Sequence, residues 1–94
     1  MFTIDLLQWK DPAPVGRPYA TANNRGIYRM ALMVDDIQAS YQTLLANGVS
    51  CPTAPVKLDM GPGVPVDGVW ALFFPDPDGT CIELIERPAT TTAP

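Results

Sequence analysis

Three charged residues stand inside apolar, alternating stretches where a lone charge is costly: Asp5 in FTIDLLQW, Arg29 in GIYRMALMV and Glu83 in TCIELIE. An unpaired buried charge costs several kcal/mol, so each needs a partner, a ligand or water. Carboxylates such as Asp5 and Glu83 bind hard cations or do acid–base work, and the Arg29 fork takes a carboxylate or phosphate bidentately. Histidine is absent, which removes the usual proton shuttle near neutral pH and the commonest nitrogen ligand for zinc or iron. Cys51 and Cys81 are thirty positions apart with no CxxC spacing, and they read as reduced packing thiols.

The elements that must position these residues follow from periodicity. Residues 2–9 alternate as a strand, with Phe2, Ile4 and Leu6 on one face and Thr3, Asp5 and Leu7 on the other. Residues 10–25 form a long connection without periodicity. Residues 26–34 make a second strand, with Tyr28, Met30, Leu32 and Val34 opposite Arg29, Ala31 and Met33. A helix is expected from about 36 to 47, capped by Asp35 with Gln38 completing a capping box. Its apolar stripe is Ile37, Tyr41, Leu44 and Leu45, and Asn47-Gly48 ends it. Residues 49–58 read as a short edge strand broken by Pro52 and Pro55. The Gly- and Pro-rich stretch 59–68 reads as a surface loop. Strands 69–74 and 80–86 form a hairpin across Asp76-Pro77-Asp78-Gly79. The tail from Pro88 is rich in Thr, Ala and Pro and is expected to be disordered.

Composition excludes several function classes. The apolar share of 47% against 17% charged residues describes a globular chain, and one that is rather apolar for its size. The net charge is −4 and no basic run occurs, so nucleic acid and anionic membrane surfaces are poor partners. No apolar stretch is long enough to span a membrane, and the first ten residues lack a basic start. A cytoplasmic protein is the expectation.

From residue 26 the order is strand, helix, strand, strand, strand. One helix shields one face of such a sheet, leaving roughly 400 Å² uncovered on the other. Alternation places Arg29, Ala31, Met33, Glu83 and Ile85 on that face. A patch of this kind on a small domain marks a contact or binding surface. Two segments also echo each other: Thr3-Ile4-Asp5-Leu6-Leu7-Gln8 and Cys81-Ile82-Glu83-Leu84-Ile85-Glu86.

The stretches GIYRMALMVDDI, LLANGV and ALFFPDPDGTCIELIE, spread over residues 26–87, resemble the vicinal oxygen chelate superfamily, which includes glyoxalase I, extradiol dioxygenases and the fosfomycin- and bleomycin-resistance proteins. The resemblance implies an α+β fold: a βαβββ module with a curved mixed sheet, glyoxalase/bleomycin-resistance-like, preceded by one extra strand. Residues 1–25 would then look like the end of a preceding module, 26–87 the βαβββ module and 88–94 the tail. In that family, metal ligands come from the first and last strands of each module. The position of the usual first-strand His holds Arg29 here; Glu83 matches the last-strand Glu, and Asp5 matches its equivalent in the preceding module.

Three roles are open to these residues. Arg29 and Glu83 read as a structural pair across the sheet, as the lining of a wet cavity for a polar ligand, or, with Asp5, as a carboxylate metal site. Arg29 opposes a cation, so the metal reading is the weakest. The expectation is a metal-free small-molecule-binding protein without cofactor, a homodimer whose paired modules form the cavity. Its expected lining is Arg29, Glu83, Asp5, Ala31, Met33 and Ile85, with no catalytic residue assigned. The alternative is a divalent-metal-dependent lyase, isomerase or dioxygenase of the same superfamily.

Overall fold

A computed structural model describes residues 3–58, 62–63 and 68–88. Four strands and one helix occur along the chain: β1 (Arg29–Met33), α1 (Ile37–Ala46), β2 (Val56–Lys57), β3 (Trp70–Pro75) and β4 (Cys81–Glu86). The sheet order is β1-β4-β3-β2. β1 runs parallel to β4, while β3 pairs antiparallel with both β4 and β2. This is an α+β module of βαβββ order. Among the described residues no helix is long and apolar enough to cross a membrane.

α1 forms where the apolar stripe predicts, but its cap is shifted by one residue. Asp36, not Asp35, is the N-cap, and its Oδ1 accepts from the Ala39 N–H at 3.0 Å. With that register Gln38 falls one place short of a capping box. A tertiary contact takes over instead: the Ile37 N–H donates to Glu86 Oε1 at 2.8 Å. The other end closes as expected. Gly48, at φ +79°, lets its own N–H reach the Leu45 carbonyl and the Val49 N–H reach the Leu44 carbonyl, the paired bonds of a Schellman turn.

The helix covers one face only. Ile37, Leu72 and Leu84 form the buried core, with Leu32, Tyr41, Leu44, Trp70, Phe74 and Ile82 packed around it. Trp70, Leu72 and Phe74 therefore face the helix, and Ala71 and Phe73 face away. The turn decides this. Asp76 Oδ1 accepts from the Asp78 and Thr80 N–H groups, Gly79 sits at φ +99°, and Pro75 is set opposite Cys81.

Two further sequence expectations need correction. The extra strand over 2–9 is not formed: residues 3–10 lie outside the sheet and are exposed. Alternation says what a strand would bury, but a strand also needs a neighbour for its N–H and C=O groups, and none is supplied among the described residues. The strand over 49–58 shrinks to Val56–Lys57, because Pro52 and Pro55 lack the N–H that a ladder uses. Most of the 59–68 loop, and the tail beyond Pro88, lie outside the described residues.

Candidate functional site

Strand register lays out the uncovered face as a grid. Arg29, Cys81 and Pro75 form one row across β1, β4 and β3; Ala31, Glu83 and Phe73 form the next; Met33, Ile85 and Ala71 the third. Five of the six expected lining residues, Arg29, Ala31, Met33, Glu83 and Ile85, thus share one face. Asp5 does not join them in the single chain, because it lies on the exposed segment outside the sheet.

The two charges on this face meet. Arg29 Nε lies 3.2 Å from Glu83 Oε1, and the guanidinium sits 5.1 Å from the centre of the Phe73 ring. Their rows are adjacent, so the long Arg29 side chain reaches diagonally across β4 to the carboxylate. Exposure is uneven: the Glu83 side chain is 9% exposed and that of Arg29 49%. Glu83 is held beneath, and Arg29 presents its outer edge to solvent. The carboxylate and the Phe73 face fix the guanidinium in place, which leaves the Nη edge available to a ligand.

Beside the pair opens a cleft of about 510 Å³, whose walls include Tyr28, Arg29, Phe73, Pro75 and Cys81. That volume is in the range of small-molecule sites. A larger hollow of about 690 Å³ lies between the N-terminal segment and the 76–80 turn, lined by residues such as Leu7, Trp9, Val15, Arg17 and Asp78. One of its walls is the segment that pairs with no strand, whereas the smaller cleft lies at the Arg29 end of the sheet, and of the six expected lining residues only Arg29 borders it. Tyr28 and the cleft's position at the Arg29 end of the sheet had no signal in the sequence. Tyr28 reads there as a helix-side residue, and it is the residue just before β1 that turns the wall.

The residues at the superfamily's metal positions do not fit a divalent cation. Arg29 stands where a neutral nitrogen ligand would be needed, and its guanidinium already engages the Glu83 carboxylate. Among the described residues no group of three or more Cys, Asp or Glu side chains is placed to hold a metal ion. Cys51 packs against the core, and burial pushes its thiol above its ordinary value.

No family model matches the chain, and no curated protein does. Among solved structures the chain is similar to SMU.1112c, at 31% identity and a TM-score of 0.63, over 86% of this chain and 56% of that one. It is also similar to a member of the glyoxalase/bleomycin resistance protein/dioxygenase superfamily from Sphaerobacter thermophilus, at 34% identity and a TM-score of 0.48, over 62% of this chain and 41% of that one. The chain spans about half the length of these two proteins. Its neighbours among solved structures thus include a member of the superfamily that its motifs resemble, while the likeness of fold is carried by SMU.1112c.

Proposed function

We propose that this glyoxalase-like module is a metal-free, small-molecule-binding protein that pairs with a second copy, so that two uncovered sheet faces enclose the ligand. The observation that carries the reading is the Arg29–Glu83 pair, 3.2 Å apart with the Arg29 side chain half open to solvent, beside the cleft of about 510 Å³. Arg29 takes a carboxylate or phosphate through its outer N–H groups while Glu83 and Phe73 hold it still. The ring walls Tyr28 and Phe73 favour a flat ligand. A net charge of −4 argues for a cationic ligand at long range, but salt screens such fields beyond about 8 Å. At contact distance the guanidinium decides.

Benzoate is a suitable probe, since it offers one ring and one carboxylate. Because Glu83 offsets part of the Arg29 charge, an affinity near millimolar, about 4 kcal/mol, is expected. Amide shifts followed by NMR during titration should saturate at Arg29, Phe73 and Cys81 and vanish in Arg29→Gln. Saturable shifts elsewhere, or shifts unchanged in Arg29→Gln, would sink the assignment. Stoichiometric, tightly held Mn²⁺ or Zn²⁺ in purified protein would overturn the metal-free reading. A stable monomer at micromolar concentration would overturn the pairing.

A further inference from the structure

We infer that Asn47-Gly48 is a site at which the chain modifies itself: the asparagine loses ammonia through an imide when the last turn of α1 opens, and the folded turn holds the reaction off. An asparagine side chain can be attacked by the backbone nitrogen of the next residue, and glycine, which has no Cβ, obstructs that approach least. Of the three asparagines, Asn23, Asn24 and Asn47, only Asn47 precedes a glycine. Both residues of the pair are exposed, so water and hydroxide reach them. No heavy atom lies within 4 Å of the place a Gly48 Cβ would take.

The folded turn blocks the reaction in three ways. The attacking nitrogen is tied, because the Gly48 N–H donates to the Leu45 carbonyl at 3.1 Å. The leaving amide is tied as well, since Asn47 Nδ2 donates to the Thr43 carbonyl at 2.8 Å. The backbone is also wrongly rotated: ring closure needs the Cα–Cβ and C–N bonds of Asn47 nearly eclipsed, and at ψ 12° they point well apart. The Val49 N–H closes the same turn onto the Leu44 carbonyl at 3.0 Å, so one opening releases all three. Helix ends open at lower cost than core strands.

Once the turn is open, the Gly48 nitrogen gives its proton to hydroxide and attacks Cγ of Asn47. The N–Cγ bond forms, the Cγ–Nδ2 bond breaks, and ammonia leaves with a proton from water. Water then opens either carbonyl of the imide, giving an aspartate or an isoaspartate at position 47. Nothing is oxidised or reduced, and water is the only co-reactant.

The product does not restore the turn. A carboxylate has no N–H for the Thr43 carbonyl, and it places negative charge at the negative end of the helix dipole. Isoaspartate also lengthens the main chain by a methylene and disturbs the Gly48 and Val49 bonds. Leu44, which packs on the core, lies in that turn. Opening is thereby recorded as a permanent charge that makes further opening easier.

Mass spectrometry of peptides from the whole chain, incubated folded or in denaturing urea at the same mildly alkaline pH, tests the inference. In urea, position 47 should convert faster than Asn23 and Asn24. In the folded chain it should convert at least about tenfold more slowly than in urea, as for a turn open less than a tenth of the time. Asn47→Asp, which carries the product's charge from the start, should exchange its Gly48 and Val49 amides at least about threefold faster than the original chain. Equal rates in the two states would overturn the gating by the turn. A rate at position 47 in urea no higher than at Asn23 and Asn24 would overturn the site itself. Unchanged amide exchange in Asn47→Asp would overturn the lasting effect on the turn.

Discussion

Truncating Arg29 tests whether the pair on the uncovered face holds the sheet as well as a ligand. Glu83 is the buried partner at 9% side-chain exposure, and Arg29→Ala leaves it without its cation. Breaking a fully buried ion pair typically costs about 3–5 kcal/mol, and an exposed one about 0–1 kcal/mol. This pair lies between those limits, because Arg29 is 49% exposed and water can enter where its side chain was. About 2 kcal/mol is therefore expected, including the loss of its stacking on Phe73. In a domain of this size that lowers Tm by roughly 8–16 °C.

Urea unfolding followed by far-UV circular dichroism measures the effect, with protein concentration held constant because association adds to apparent stability. The companion variants make the reasoning sharper. Arg29→Met combined with Glu83→Leu removes both charges and keeps most of the volume, so it should fall within about 1 kcal/mol of the original chain. The damage in Arg29→Ala comes from an abandoned carboxylate, and the double replacement abandons none. Two results would refute this. Arg29→Ala could cost less than about 0.5 kcal/mol, the scale of an ordinary surface change, or the double replacement could be as unstable as Arg29→Ala.

Three further outcomes follow from other contacts. Glu86→Ala should destabilise by about 1 kcal/mol, because the Ile37 N–H at the positive end of α1 loses its acceptor; thermal unfolding reads it, and an unchanged Tm would show that water replaces the carboxylate. Gly48→Ala should also cost about 1 kcal/mol, purely through the left-handed backbone, since nothing lies within 4 Å of the added methyl; Gly48→Asn should cost less, and equal losses would point to some other cause. Cys51 should react more slowly with a thiol reagent at pH 8 in the folded chain than in denaturant, because burial raises its value above the ordinary 9.0 and the thiolate is the nucleophile. The folded state holds that proton more tightly than the unfolded one. The corresponding stability is intact below the ordinary thiol range and is lost as pH rises through it; equal rates in the two states would contradict this.

The sequence carried the order of elements from β1 to β4 because each boundary has a local chemical cause. Gly48 ends the helix through a conformation open to glycine, and Asp76 to Gly79 turn the chain through their own side-chain and backbone bonds. Where two residues could serve equally, local chemistry stopped deciding. Asp35 and Asp36 are adjacent and both can cap, and the choice went to the register in which Glu86, 49 positions away, reaches the Ile37 N–H. Residues 3–10 failed for a related reason, since a strand pattern is half of a pairing.

Arg29 and Glu83 stood out because each is a charge in an alternating apolar strand. Alternation has a period of two, so slipping β4 by one residue against the helix would exchange its faces completely. Glu83 would then lie beneath α1 against Ile37 and Leu72, where no cation from β1 could reach it, at a penalty of several kcal/mol. In the observed register both charges lie on the uncovered face and meet at 3.2 Å. The residues that make the site therefore also exclude the competing register, which ties the position of the cleft to the correctness of the fold.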